Sequence, residues 1–522
     1  MPTPFALRAP ALAASVAVLL SLAGCTDGGS SNGGGEGDKK QDLGSQELKW
    51  ADCPAPDAAQ GEGTEPSPLP GGAEWQCATM QVPRDYAKPD GDRIGLALIR
   101  ARAADQEKRI GSLIFNFGGP GGSGVTTLPS AGKDYAELRS RYDLVSFDPR
   151  GVGGSAPVKC QGDKALDAYY AEDATPDDDA EEKKYADGIK EYADACEKNS
   201  GAELPHVGTT NAAKDLDLMR QVLGDDKLYY FGISYGTELG GVYAHLFPKR
   251  VGRAVFDAVV DPTQKTEQSS LGQAKGFQLA LNNFAKDCVA RGDECKLEGS
   301  TPKEIEDGIV ELLARLDKKP IPGTAGRQLT QSQATNGIVQ TLYSKEFWPY
   351  LEQGVDEADG GNGALLLVLA DSMNGRNQDG TYSNIGAANA AINCVDSKER
   401  FDVAYAKSKV PEFRKASPVF GDFLAWGLSG CSSWPVPGQW ETPDVSAAGS
   451  APILVVGNTG DPATPYEGAR KMAEKLGKGV GVELTYKGEG HGAYNSGSAC
   501  VKTNVDKYLL EGKVPTAGTV CS

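Results

Sequence analysis

The sequence predicts an α/β fold built on a mostly parallel sheet. Short runs rich in Val, Ile, Leu and Tyr end in loops of glycine or aspartate, and helical stretches separate these runs along the chain. Six runs have this form: 112–117, 142–147, 227–231, 251–260, 451–456 and 481–486. Strands that alternate with helices favour parallel pairing, and ligands of such sheets bind at the carboxyl ends of the strands. The loops after these six runs are therefore the place to look for a site.

The composition is that of a soluble globular protein, and the net charge argues about one class of partner, nucleic acid. Of the 522 residues, 39% are hydrophobic and 24% are charged, with a formal net charge of −18. Because phosphate binding needs basic patches, this charge argues against nucleic acid as a partner.

The N-terminus reads as an export signal. Residues 11–22 form an apolar run too short to span a membrane, and Leu22, Ala23 and Gly24 lead into Cys25. This order resembles a bacterial lipobox, so we expect a signal peptide over residues 1–24 and a lipid anchor on Cys25. The alternative is an ordinary secretory signal with a chance cysteine. Residues 25–46 are small and polar and predict a flexible tether. The expected location is extracellular, either lipid-anchored on the outer face of the cytoplasmic membrane or secreted, with the membrane contacted only through Cys25.

A catalytic serine is predicted at Ser234. Residues 231–236 read FGISYG and match G-x-S-x-G, the turn that presents a nucleophilic serine. The same pattern occurs at residues 29–33, inside the polar tether, where it is a chance match. Ser234 follows a predicted strand and precedes a predicted helix over residues 237–247, which is the setting that this turn requires.

The base for this serine is chosen among three histidines. His206 follows no strand, and His245 lies eleven residues past Ser234, about three turns along the helix. His491 follows a predicted strand and lies between two glycines. It is therefore the predicted general base.

The acid that orients the imidazole is predicted to be Asp461. In the Ser–acid–His chain order, the acid must lie between Ser234 and His491. Asp461 follows a predicted strand and precedes His491 by 30 residues, enough for one helix (466–476) and one strand. A turn aspartate is the alternative interpretation. Glu489 is the competing acid, but two residues before His491 is an awkward separation.

Two backbone amides are predicted to form an oxyanion hole. One is the N–H of Tyr235, directly after the nucleophile. The other belongs to the glycine-rich loop 118–124 (GGPGGSG), with Gly119 as the candidate, because bare backbone can approach a substrate there. A phosphate cradle is the weaker interpretation of this loop, since no Walker lysine follows it.

Together these motifs resemble a known family. The five are GGPGGSG (118–124), FDPRGVGGS (147–155), GISYGTELG (232–240), GNTGDPATP (457–465) and GEGHG (488–492). In this order they are similar to the secreted tripeptidyl aminopeptidases of actinomycetes, α/β-hydrolases related to proline iminopeptidases. The resemblance covers roughly residues 47–522 and implies Ser234 as nucleophile, Asp461 as acid and His491 as base. Phe117 stands where proline iminopeptidases carry a histidine, which favours the tripeptidyl branch.

The resemblance also implies a domain plan. The α/β-hydrolase core is expected over residues 47–262 and 446–522. Residues 263–445, called the cap segment below, contain helical stretches (273–290, 302–316 and 331–342) and are expected to form a helical cap over the site.

The expected activity is that of an exported serine exopeptidase that releases N-terminal peptides, probably tripeptides, and uses no metal or cofactor. Its partners would be peptides with a free N-terminus, and the substrate ammonium would pair with Asp396 in the cap segment or with Glu238. A helix-capping role is the alternative for Asp396. A carboxylesterase or lipase on the same triad and a non-catalytic binding lipoprotein are the alternative functions.

Cysteine usage agrees with export. Besides Cys25 the chain has ten cysteines, and exported proteins keep disulfides. Sequence does not fix their connectivity, and the shortest loops give the predicted pairs. These are Cys53–Cys77, Cys160–Cys196, Cys288–Cys295, Cys394–Cys431 and Cys500–Cys521.

Overall fold

The computed structural model describes residues 42–69 and 71–522. Its strands are β1 (Ala51–Asp52), β2 (Trp75–Pro83), β3 (Arg93–Ala101), β4 (Gly111–Asn116), β5 (Tyr142–Phe147), β6 (Leu228–Ile233), β7 (Val251–Asp257), β8 (Ile321–Pro322), β9 (Gln328–Leu329), β10 (Ile453–Gly460), β11 (Gly481–Glu489) and β12 (Thr519–Cys521). Its helices are α1 (Gly124–Ala131), α2 (Asp163–Ala171), α3 (Asp179–Ser200), α4 (Thr209–Val222), α5 (Tyr235–Leu246), α6 (Thr266–Arg291), α7 (Pro302–Lys318), α8 (Gln331–Leu342), α9 (Trp348–Asp359), α10 (Ala364–Asn374), α11 (Ile385–Asp396), α12 (Val403–Ala416), α13 (Gly421–Gly427), α14 (Glu467–Leu476) and α15 (Ala499–Glu511).

Ten strands form one sheet in the order β1-β2-β3-β5-β4-β6-β7-β10-β11-β12. The pairs β1–β2, β2–β3 and β3–β5 are antiparallel, and every pair from β5 to β12 is parallel. The predicted α/β fold with a mostly parallel sheet is confirmed, since all six predicted runs are parallel strands. The carboxyl ends of β4, β6, β7, β10 and β11 lie next to one another, and they carry the predicted site loops.

Both faces of the sheet are buried, which explains its continuous apolar runs. In β4, Leu113 and Phe115 belong to one apolar cluster and Ile114 belongs to the cluster on the other face. In β6, Tyr230 and Phe231 divide in the same way. Side chains alternate between the faces of a strand, so helices that cover both sides require apolar residues at successive positions.

The cap segment contributes no strand to the ten-stranded sheet. It holds α6 to α13 and a two-stranded antiparallel sheet of β8 and β9. Its main apolar cluster joins α6, α7, α8, α9 and α10 through buried residues such as Phe284, Leu312 and Ile338. This cluster is separate from the two that cover the sheet.

The end of the predicted tether is folded rather than flexible. Leu43–Ser45 form a 3₁₀ turn capped by Asp42, and the Gln46 side chain donates to the carbonyl of Gln81 at 2.9 Å. The predicted boundary at residue 46 is therefore too late, because backbone and side-chain hydrogen bonds already fix residues 42–46. The predicted signal peptide and Cys25 lie outside the described residues.

All five predicted disulfides are confirmed. Cys394–Cys431 ties α11 to the 3₁₀ turn Leu428–Cys431 within the cap segment. Cys500–Cys521 ties α15 to β12, the edge strand beside β11. Every helix of the described part of the chain is too short or too polar to cross a membrane.

Candidate active site

Ser234 lies on a sharp turn between β6 and α5. Its backbone has φ 57° and ψ −128°, a conformation that costs a non-glycine residue about 1–3 kcal/mol. A Cβ on Gly232 would overlap the carbonyl oxygen of Gly236, and a Cβ on Gly236 would overlap Asn116. The two glycines of the motif are therefore required by close backbone approach. Ser234 Oγ accepts or donates no hydrogen bond among the described residues.

His491 and Asp461 are hydrogen-bonded to each other. The imidazole Nδ1 lies 2.8 Å from Asp461 Oδ1 and 3.1 Å from Oδ2. With the Nδ1 proton donated to the carboxylate, the lone pair of Nε2 is left to accept a proton. Asp461 is 2% exposed and also accepts the backbone N–H groups of Thr464 (2.8 Å) and Gly492 (3.2 Å), which fix the position of the carboxylate.

Asp257, at the end of β7, links the serine turn to the histidine loop. Its backbone carbonyl accepts the N–H of Ser234 at 3.1 Å. Its carboxylate accepts the N–H groups of Ala493 (2.9 Å) and Tyr494 (2.9 Å), two and three residues after His491. One residue thus fixes the turns that carry the nucleophile and the base. The sequence analysis missed Asp257, because this residue lies inside the predicted run 251–260, whereas the observed strand already ends at Asp257.

The glycine-rich loop passes against the nucleophile. Gly118, Gly119 and Gly121 have φ of 91°, 110° and 101°, which L side chains rarely adopt. A Cβ on Gly118 would fall 2.8 Å from the Cβ of Ser234. Among the described residues, the N–H groups of Gly119 and Tyr235 donate to no other atom. Both predicted oxyanion donors are therefore unengaged and flank Ser234.

Helix α11 of the cap segment is hydrogen-bonded to the glycine-rich loop and, through Thr209, to the side chain of Tyr235. Asn389 donates its Nδ2 to the carbonyl of Pro120 at 3.1 Å, which holds the glycine-rich loop. Asp396 accepts the Thr209 hydroxyl at 2.6 Å, so that hydroxyl accepts from the Tyr235 hydroxyl at 2.5 Å. The Thr209 hydroxyl has a single proton, which it donates to Asp396, so the Tyr235 hydroxyl must be the donor to Thr209.

The two predicted substrate anchors occupy different environments. Asp396 is 5% exposed and accepts the Thr209 N–H with its second oxygen at 2.9 Å, so it caps α4. Burial raises the pKa of Asp396 to about 7, against the effect of its hydrogen bonds from Thr209. Glu238 is partly exposed and has no hydrogen bond or ion pair with a described residue. Burial and the nearby Asp396 raise the pKa of Glu238 to about 8. Their role as anchors stays a prediction.

The competing residues have other partners. Glu489 accepts the Asn283 side chain at 3.1 Å rather than the imidazole. His245 Nδ1 lies 2.9 Å from the carbonyl of Ser446, and His206 forms part of a 3₁₀ turn whose carbonyl accepts Arg150. Of the three histidines, His491 is the one whose loop is joined to the serine turn by the hydrogen bonds of Asp257.

The rate should fall on acidification through a pH above 6.5. Burial lowers the pKa of His491, but the charge of Asp461 and its hydrogen bond outweigh burial and raise this pKa above its ordinary value of 6.5. The base must be neutral, so protonation at the raised pKa stops catalysis. We expect the acidic limb of kcat/KM to have its midpoint above pH 6.5. A profile that is flat from about pH 5 to 8 would contradict the assignment of His491 as the base.

The fold and the site together define a serine hydrolase of the α/β-hydrolase class: a serine on a strand–helix turn, a histidine held by a buried carboxylate, and two free amides beside the serine. Comparison with known proteins agrees with this class. Residues 111–299 match the α/β hydrolase fold family, and residues 417–521 match the family described as TAP-like protein.

Full-length relatives place the chain in a family. It is 38% identical over 535 residues to serine protease Hip1 of Mycobacterium tuberculosis (98% of this chain and 96% of the relative). It is 32% identical over 482 residues to the tripeptidyl aminopeptidase of Streptomyces lividans (91% and 86%). It is 36% identical over 459 residues to carboxylesterase B of M. tuberculosis (86% of each chain). The chain belongs to the tripeptidyl-aminopeptidase-like family of α/β-hydrolases, as its motifs indicate, and it is a serine peptidase of this type.

Proposed function

We propose that the protein is an exported aminopeptidase that releases N-terminal tripeptides. The observation that carries the proposal is a pair of carboxyl groups close to the nucleophile, Glu238 and Asp396, neither of which forms an ion pair with a described residue. Burial raises the pKa of both carboxyls, and the nearby Asp396 adds to the effect at Glu238. The free ammonium of a peptide is the missing cation. A relative named tripeptidyl aminopeptidase supports the length of the product.

The proposed reaction uses the groups already described. Ser234 Oγ attacks the scissile carbonyl carbon while Nε2 of His491 takes the hydroxyl proton. The N–H groups of Tyr235 and Gly119 stabilise the oxyanion, and Asp461 stabilises the imidazolium. Collapse breaks the peptide C–N bond, and the imidazolium gives its proton to the leaving amine. Water, deprotonated by His491, then hydrolyses the acyl-enzyme and releases the N-terminal product.

Five disulfides support export, because they persist in oxidising surroundings. The proposed lipid anchor at Cys25 would then hold the enzyme on the outer face of the cytoplasmic membrane.

A panel of chromogenic mono-, di- and tripeptide amides tests the proposal, each with a free and an acetylated N-terminus. We expect the free tripeptide amide to be hydrolysed with the highest kcat/KM, and acetylation to lower kcat/KM by about 100-fold or more, because it removes the positive charge and leaves a carboxylate without a partner. Equal cleavage of acetylated and free tripeptide amides would refute the aminopeptidase. Hydrolysis of esters alone would favour a carboxylesterase, as the name of one relative suggests.

A further inference from the structure

The C-terminal end of α8 lies against the loop that carries the catalytic histidine. Tyr343 caps this end, and its backbone carbonyl lacks an intrahelical partner, as the last carbonyls of a helix do. The carbonyl accepts the backbone N–H of His491 at 2.7 Å. Gly490, with φ 92°, permits this approach, because a Cβ there would lie 3.1 Å from the Tyr343 carbonyl oxygen. A residue of the cap segment is thus hydrogen-bonded directly to the backbone of the base.

The side chain of Tyr343 contacts the imidazole as well. The two ring centroids are 5.2 Å apart and the ring planes meet at 89°, an edge-to-face arrangement. The His491 side chain is 11% exposed, and its Nδ1 is bound to Asp461. This hydrogen bond fixes one atom of the imidazole, so the ring could still tilt about it and move Nε2 away from the nucleophile. Contact with Tyr343 restricts that tilt.

Tyr343 is itself held by the cap segment. Its ring is 5.7 Å from the ring of Phe277 on α6, which in turn is 5.8 Å from the ring of Phe420 at the start of α13. Phe277 and Phe420 are 4% and 1% exposed and belong to the main apolar cluster of the cap segment. A row of three aromatic side chains therefore connects the core of the cap segment to the imidazole.

The hydroxyl group of Tyr343 is not part of this arrangement. It forms no hydrogen bond with a described residue. Burial, with the charge of Asp461 in addition, raises the pKa of Tyr343 to about 12, so the phenol stays neutral at the pH of the reaction. The contacts with His491 come from the carbonyl and the ring, and phenylalanine at position 343 would keep both.

We infer that Tyr343 is a positioning residue: its ring and its backbone carbonyl keep the imidazole of His491 turned toward Asp461 and the nucleophile. The inference rests on the triad of the proposed function and gives the cap segment a part in orienting the base, whatever the length of the substrate. Misplacement of a reacting group by about 1 Å can cost about 100-fold in rate.

The first test changes the ring and leaves the backbone. Tyr343→Leu should lower kcat about 10- to 100-fold for a tripeptide amide and for p-nitrophenyl acetate alike, with KM nearly unchanged, because both substrates need the same base. Tyr343→Phe should keep the wild-type values, since it keeps the ring. An unchanged kcat in Tyr343→Leu would overturn the inference. So would an equal loss in Tyr343→Phe, or a Tyr343→Leu effect confined to the KM of the peptide, which would indicate a substrate contact.

The pH profile separates lost positioning from lost folding. Burial lowers the pKa of His491, while the charge and hydrogen bond of Asp461 and the charge of Asp257 outweigh burial and raise it above 6.5. An imidazole that tilts away loses these effects and approaches its ordinary value. The acidic limb of kcat/KM in Tyr343→Leu should therefore move to lower pH, toward 6.5, whereas a smaller folded fraction would lower the rate equally at every pH.

Phe284→Leu is the matched control for the leucine substitution. Phe284 is a buried aromatic residue of the same cluster, and its ring contact is with Trp348 rather than with His491. This variant should lower the melting temperature but keep kcat per folded molecule and the pH profile. Equal effects of the two leucine variants on kcat and on the acidic limb would overturn the inference. If the wild-type enzyme shows no preference for the free amine, the proposed aminopeptidase fails, while the ester assay still tests Tyr343.

Discussion

Replacement of Ser234 with alanine is expected to lower kcat by a factor of about 10⁴–10⁶. The methyl group keeps the backbone but removes the oxygen that forms the acyl-enzyme. Residual activity would come from substrate binding and the amides of Tyr235 and Gly119. The variant should fold like the wild type, since Ser234 Oγ makes no hydrogen bond within the described part of the chain.

Intact-mass measurement after a fluorophosphonate probe separates this loss from misfolding. The wild type should gain one adduct, and Ser234→Ala should gain none while keeping the wild-type circular dichroism. Ser31→Ala, in the chance match of the tether, is the control and should label fully. Labelling that survives in Ser234→Ala would show that the nucleophile is another residue.

The Asp461→Asn variant should lose about 10⁴ in kcat. The carboxylate accepts the Nδ1 proton of His491, and an amide that donates there would favour the tautomer with the proton on Nε2, where it blocks attack. The same change removes the charge that raises the pKa of His491, so the acidic limb of the remaining activity should move to lower pH.

The shift of the pH profile distinguishes loss of the Asp461 charge from a general disturbance of packing. A substitution that only disturbed packing would lower the rate without moving the limb toward acid. Glu489→Gln is the matched control, since this acid lies two residues from His491 and pairs with Asn283. It should keep both the rate and the profile. The reverse pattern, a large loss in Glu489→Gln and a small one in Asp461→Asn, would exchange the two roles.

Features that depend on residues close together in the sequence could be predicted from the sequence alone. The glycines at 232 and 236 indicate a turn that admits no side chain, and the chain order of Ser234, Asp461 and His491 follows from strands that end at one edge. The short-loop rule predicted the five disulfides, because each joins segments close in sequence.

Contacts between distant segments were not predictable in this way. Strands β1 to β3 pair antiparallel at one edge, and their pattern lacks the terminal glycine or aspartate loops that identified the parallel strands. The role of Asp257 depends on hydrogen bonds to residues 236 and 237 positions later in the chain. Nothing near Asp396 in the sequence indicates that Thr209, 187 residues earlier, engages both of its oxygens.

Helix α11 connects the cap segment to the two residues that flank the catalytic serine turn. It holds the glycine-rich loop through Asn389 and Pro120, and it holds Tyr235 through Asp396 and Thr209. Hydrogen bonds from α11 therefore reach the residue next to each predicted donor or its side chain, and loss of even one donor typically costs a factor of about 10²–10³ in rate. Through these two contacts the cap segment helps to order the groups that stabilise the transition state.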